Sequence, residues 1–262
     1  MSVKDDWIIW PPSGPSNQRV PLPPDFYLRE FMTLSADDLD GVADMMKLYG
    51  EPFHLDGDEL PPYFDDEDEE GEHDPRNSYR KWPEGWDPAY IGLHRDLVRA
   101  HLDAGQNAVR TWLACQEEHG LERLVEPEVT AENLATFNRD NPDQPGGDMS
   151  LDDFREFLVH ARLADFRSVF DQALSGFSVG LRDLSERFHS IYGVMFLQLY
   201  NHMLEHMPAR RCASETCDNL FVYQRGRSQH GQHRSQGVKY CSTNCARAQA
   251  ARELRRRRRA AD

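Results

Sequence analysis

Cys212-x4-Cys217 and Cys241-x3-Cys245 are two short cysteine pairs separated by 23 residues. Each spacing lets a pair aim both sulfurs at one point, one pair from a tight knuckle and the other from the turn that opens a helix. Together they predict a tetrahedral four-thiolate zinc site. Four thiolates leave no open coordination position, so the zinc is structural and not catalytic. The fifth cysteine, Cys115, lies far from the others in sequence. An odd total with four cysteines crowded at one end does not read as a disulfide framework. It reads as a metal site in a reducing, cytoplasmic environment. Two separate redox thiol pairs are the competing reading, but neither spacing is the C-x-x-C of thioredoxin-like proteins.

The segment between the pairs predicts the rest of this module. Leu220-Phe221-Val222-Tyr223 is a short strand, and Val238-Lys239-Tyr240 is the strand that returns. Gly226, Gly231 and Gly237 interrupt a loop that carries Arg225, Arg227, His230, His233 and Arg234. Ser242 and Thr243 can cap a final helix. Knuckle, hairpin and helix make a small treble-clef-like zinc ribbon. The string C-x4-C-x12-H-x2-H from Cys212 to His233 imitates a two-cysteine, two-histidine finger. The histidines of that finger sit on a helix, and the glycines flanking His230 argue against one. A nuclease with His230 or His233 as general base needs a divalent ion and further ligands, yet no acidic residue lies between Asp218 and Cys241. No catalytic residue is assigned, and the chain is read as a non-enzyme.

Arg211-Cys212-x4-Cys217-x3-Phe221, followed by Tyr240-Cys241-Ser242-x2-Cys245 and a basic helix, resembles the bacterial CGNR-type zinc finger. The match covers about residues 208–262. The signature tetrapeptide reads Cys245-Ala246-Arg247-Ala248 here, so its Gly and Asn are absent and its Arg is displaced. The resemblance implies a stress-linked transcription regulator, with an N-terminal ligand- or partner-binding domain and a C-terminal DNA-binding finger.

Charge divides the chain at the same place. Residues 208–262 carry 13 Arg/Lys against 4 Asp/Glu, whereas residues 1–207 carry 17 against 41. An acidic body joined to a basic tail points to an acidic partner for the tail, most commonly nucleic acid. On the last helix, about 243–259, Ala246, Ala250 and Leu254 form a row fit to pack on the ribbon. Arg252, Arg255, Arg256 and Arg259 lie roughly opposite at i, i+3, i+4 and i+7. With Arg225, Arg227, Arg234, Lys239 and Arg247 they make the candidate nucleic-acid surface. Aromatic residues for stacking single strands are sparse, so duplex DNA is preferred over RNA. An RNA-binding or protein-interaction module is the alternative.

The rest of the chain predicts an acidic, mainly helical body over residues 1–207. Residues 1–25 are a Pro-rich arm whose Trp7-Ile8-Ile9-Trp10 run docks on the body. Phe26–Leu34 reads as a strand, and Ser35 as the cap of a helix that Gly50 stops. Residues 56–74 hold eleven Asp/Glu and no Lys or Arg, a solvated acidic loop. A helix is expected over 92–119, ended by Gly120, with Cys115 buried on its apolar stripe. Others are expected over about 131–138, 150–174 and 179–206, with a linker at 141–147. The 179–206 helix has two apolar stripes, so it is central in the body or shared with a second copy in a homodimer. The sequence names no ligand for the body. No apolar run approaches the ~18–20 residues of a membrane span. Asp5, Asp6, Pro11 and Pro12 do not suit a signal peptide.

Overall fold

The computed structural model describes residues 1–11, 20–52, 90–142, 149–175, 190–222 and 238–260. The 56–74 acidic run, the linker residues 143–147, the helix segment 179–189 and the loop carrying Arg225, Arg227, His230, His233 and Arg234 lie outside them. The chain divides into two compact units. One comprises Met1–Arg19 and Ser35–Gly193, the other Val20–Leu34 and Val194–Asp262. The described structure is mainly α-helical, as the sequence predicts. Among the described residues no helix is long and apolar enough to cross a membrane.

The first unit opens with strand β1 (Ser2–Lys4), which turns at Asp5 (φ 53°) into β2 (Trp7–Trp10). The apolar WIIW run docks by becoming the central strand of a three-stranded antiparallel sheet. Its other neighbour is β3 (Ile91–His94), with Ile8 opposite Leu93 and Trp10 opposite Ile91. Trp7, Ile8 and Trp10 are buried.

Helix α2 (Leu39–Tyr49) ends at Gly50, as expected, where a φ of 110° favours glycine. Its cap is not Ser35 but Asp38, whose carboxylate accepts from Gly41 N at 3.0 Å. Ser35 instead accepts from Asp37 N at 3.1 Å, closing a local turn one step earlier.

Helix α3 (Arg95–Ala114) is shorter than the helix expected over 92–119. Residues 92–94 pair with β2, because an extended segment there can satisfy the open edge of the WIIW strand. At the other end the helix stops before Cys115, which is exposed and not buried as expected. Gly120 does not end this helix; it begins the next, α4 (Gly120–Val125). A Cβ at position 120 would lie 2.1 Å from the Ala114 carbonyl oxygen, so the close approach requires glycine.

Helix α5 (Ala131–Asp140) is capped by Thr130, which accepts from Asn133 N at 3.1 Å. Helix α6 (Leu151–Ser175) packs on α3 and α4. Ser150 accepts from Asp153 N at 3.2 Å and donates to Asp153 Oδ2 at 2.6 Å, a tight N-terminal cap. Helix α7 (Ile191–Leu204) runs from the end of the first unit into the second. Ile191 and Met195 from one expected stripe, and Tyr192, Phe196 and Leu199 from the other, are all buried.

The second unit gathers 20–34 and 194–207, segments that the sequence assigns to the body, with the cysteine module. Phe26–Leu34 is not a strand. It forms the short helix α1 (Phe26–Arg29) and a 3-10 turn, Phe31–Thr33. Pro23 and Pro24 fix the approach, and Phe26 N donates to the Pro23 carbonyl at 3.1 Å, so the chain enters a turn rather than a ladder. The proline carbonyl also accepts from Gln198 Nε2 of α7 at 2.9 Å. Phe26, Tyr27, Leu28 and Phe31 are buried. Strands β4 (Ala209–Arg211) and β5 (Leu220–Val222) form an antiparallel pair, and α8 (Thr243–Arg259) ends the described chain.

Candidate metal centre

The first cysteine pair sits in the bend that joins β4 to β5. Cys212 N donates to the Asn219 carbonyl at 2.9 Å, and Cys217 N to the Ser214 carbonyl at 2.9 Å, which folds the knuckle back on itself. The second pair arrives from the other side. Ala213 N donates to the Lys239 carbonyl at 2.8 Å, and Cys241 N approaches Cys212 Sγ at 3.5 Å. Ser242 caps α8 by accepting from Cys245 N at 3.2 Å, which holds Cys245 in the first helical turn.

One expectation about this module is corrected. Residues 238–240 form no returning strand. The partner of β5 is β4, because the knuckle itself makes a short antiparallel connection. The later segment joins the knuckle through the Lys239 carbonyl instead.

All four sulfurs, of Cys212, Cys217, Cys241 and Cys245, lie within 4.8 Å of one another. Cys241 Sγ is 3.6 Å from both Cys217 Sγ and Cys245 Sγ. A sulfur–sulfur bond is ~2.05 Å, so these are not disulfides. Thiolates ~2.3 Å from a tetrahedral zinc stand about 3.8 Å apart, so the spacing fits such a cation. The donor set is compatible with a metal site.

The thiols are electrostatically unequal. Burial pushes the Cys212 thiol up, but hydrogen bonds from the Cys241 and Ser214 amides and from neighbouring thiols outweigh it and bring it down to about 7. Burial, and then the bonds to Cys217, Cys245 and Cys212, push Cys241 up to about 12. Four neighbouring thiols cannot all ionise unaided. A divalent cation is what makes four thiolates compatible, with protons released as it binds.

Helix α8 docks on the knuckle through polar groups. Gln249 is 5% exposed; its Nε2 donates to Glu215 Oε1 at 3.0 Å and its Oε1 accepts from Glu215 N at 3.3 Å. Arg252 donates to Ser214 Oγ at 3.2 Å and to Thr216 Oγ1. Arg256 grips the Glu215 carboxylate with both terminal nitrogens. That fork, with the Gln249 amide, holds the Glu215 carboxyl below its ordinary range.

The expected packing row is therefore turned away from the knuckle. Leu254 is 52% exposed, Ala250 is exposed and Ala246 only half-buried. A knuckle made of backbone amides, Ser, Glu and Thr needs polar partners, which the Ala/Leu row cannot supply.

The candidate nucleic-acid residues separate accordingly. Arg252 and Arg256 are engaged with the knuckle, whereas Lys239, Arg247, Arg255 and Arg259 are exposed, as are Arg257 and Arg258. Arg225, Arg227 and Arg234 lie outside the described residues. Sequence reasoning missed Gln249 and Glu215, and also Arg29 of α1. Arg29 Nη2 donates to the Cys241 carbonyl at 2.8 Å, and its Nε is 2.8 Å from the buried Asp25 carboxylate. Only the i,i+4 spacing of Asp25 and Arg29 was visible in sequence.

Compared with protein-family models, curated proteins and solved structures, the chain matches none.

Proposed function

We propose that the chain is a DNA-binding regulator whose C-terminal module is held by a structural zinc ion and presents α8 to duplex DNA. The observation that supports this reading is the division of α8 into two faces around the four-sulfur cluster. Gln249, Arg252 and Arg256 hold the helix to the knuckle. Arg247, Leu254 and Arg258, at i, i+7 and i+11, lie on the side turned away, with Arg255 and Arg259 on the flank. A guanidinium-bearing helix face held by a rigid base suits phosphate binding, and Arg can read guanine in a major groove. The resemblance of 208–262 to CGNR-type fingers points the same way. Zinc held by four cysteines has no open position, so its part is to fold the knuckle and not to activate water.

The test couples metal analysis to nucleic-acid binding. Wild-type protein is expected to hold one zinc per chain, and Cys212→Ser or Cys241→Ser to lose it while the helical signal of the rest persists. Unchanged zinc content in both variants rejects the four-cysteine site. In gel shifts the wild type is expected to retard duplex DNA with no magnesium requirement. Retention of RNA alone moves the reading to an RNA-binding module, and magnesium-dependent cleavage to a nuclease.

A further inference from the structure

Cys241 is the hub of the cluster. Its sulfur lies 3.6 Å from two other sulfurs, and its amide points at the fourth from 3.5 Å. The placement of its main chain thus bears on two of the sulfur spacings and on the amide contact to Cys212 Sγ. Its carbonyl, on the peptide that follows, is held from outside the module that the sequence delimits. Arg29, 212 positions earlier, donates Nη2 to the Cys241 carbonyl at 2.8 Å. The other side of the guanidinium is ion-paired with Asp25 at 2.8 Å, whose side chain is only 7% exposed.

The platform beneath this fork is firm. Tyr27 and His202 share a buried hydrogen bond of 2.6 Å, and Gln198 binds the Pro23 carbonyl, so α1 is tied to α7 on both sides of Asp25. All these residues belong to the same compact unit as the cysteines. The charge logic is equally direct. Four thiolates around a divalent cation leave a net charge of about −2 in a partly buried place, where an uncompensated charge is costly. A guanidinium on the adjacent carbonyl offsets it, and the planar fork lets one group face both Asp25 and Cys241.

We infer that Arg29 is an outer-sphere positioning residue of the metal centre: it orients Cys241 and offsets the charge of the metal-loaded cluster. The inference rests on the metal reading above. It makes segment 20–34 part of the metal-binding module.

The experiment uses the full chain loaded with zinc and follows transfer of zinc to a chromophoric chelator. Arg29→Met is expected to bind one zinc but release it roughly 10-fold faster or more, the usual scale for losing an outer-sphere partner. Arg29→Lys keeps the charge but not the fork, and is expected to fall between Met and wild type. A merely mechanical clamp would alter release without changing the electronic environment of the sulfurs. Cobalt(II)-substituted protein separates the two: the thiolate-to-cobalt charge-transfer band is expected to shift in Arg29→Met and to return towards wild type in Arg29→Lys. Wild-type release rates with an unshifted band in a zinc-binding Arg29→Met protein overturn the inference and leave the metal site standing. If Arg29→Met does not fold, Arg29→Lys decides alone, and wild-type release from it is the overturning result. Absence of zinc from the wild type overturns the metal reading itself, and this inference with it.

Discussion

Tyr27 and His202 show how burial sets a protonation state. Burial, and then the nearby Asp25 charge, raise the Tyr27 hydroxyl above its ordinary range, so it stays protonated and donates. His202 Nδ1, 2.6 Å away, must then accept, which requires an unprotonated nitrogen. Burial lowers the His202 pKa accordingly, against a smaller opposing pull from Glu205. Below about pH 6.5 the unfolded chain takes up a proton that the folded imidazole resists, so stability falls as pH drops from there towards the lower folded pKa. Denaturant melts between pH 7.5 and 5.5 are expected to show this loss, and His202→Gln to flatten it. An equal slope in the variant would assign the pH dependence elsewhere. Tyr27→Phe leaves the imidazole acceptor without this donor and is expected to cost about 1–3 kcal/mol.

At the scale of the element, α8 departs furthest from what its periodicity suggests. Its arginines divide by what they already hold. The Arg256–Glu215 pair is exposed despite its two-pronged geometry, so solvent screening leaves it only a small net contribution to stability. Arg252 is half-buried and satisfies two hydroxyls of the knuckle. Replacing Arg247, Arg255, Arg258 and Arg259 with Gln is expected to weaken duplex binding and to flatten its salt dependence, by ~0.9 in log–log slope for each phosphate left unneutralised. Replacing Arg252 and Arg256 with Gln is expected to loosen the helix from the knuckle, read as faster amide exchange at Ser214–Cys217, with a smaller change in salt slope. Equal salt slopes for wild type and the outward quadruple variant would move recognition to Arg225, Arg227 and Arg234.

For the whole molecule, charge segregation matters more than net charge. A chain of net charge −15 is repelled by DNA at long range, while its 208–262 segment is attracted at short range. On the DNA-binding reading proposed above, the eleven acidic residues of 56–74 would add to the repulsion and, tethered to the same chain, would compete with phosphates for the basic helix. Changing them to Asn and Gln is expected to tighten duplex binding at low salt and to converge with wild type at high salt, where screening removes the difference. Identical affinities at low ionic strength would leave the stretch without a part in binding.

The features legible in the sequence are those decided within a few residues. Cysteines four and five positions apart share a local turn, so their pairing needs no knowledge of the rest of the chain. The same holds for the caps at Ser150 and Ser242, the stop at Gly50, and the predominance of helix. The elements left open or misread depend on a distant partner. WIIW is a strand because Ile91–His94 lies beside it, and those residues leave the helix for the same reason. The knuckle supplied the partner of β5, so residues 238–240 had none to pair with. Periodicity places Ala246, Ala250 and Leu254 on one side of α8, but not which side meets the protein. That was decided by the polar knuckle surface, which a Gln and two Arg could satisfy and an apolar row could not. Arg29 reached Cys241 across 212 positions because packing brought α1 beside the cluster, a meeting that no local spacing encodes. Sequence alone determined the donor set and the charge of the helix; tertiary packing decided what the helix faces and which distant residue steadies the donors, because both depend on surfaces formed only when separate segments meet.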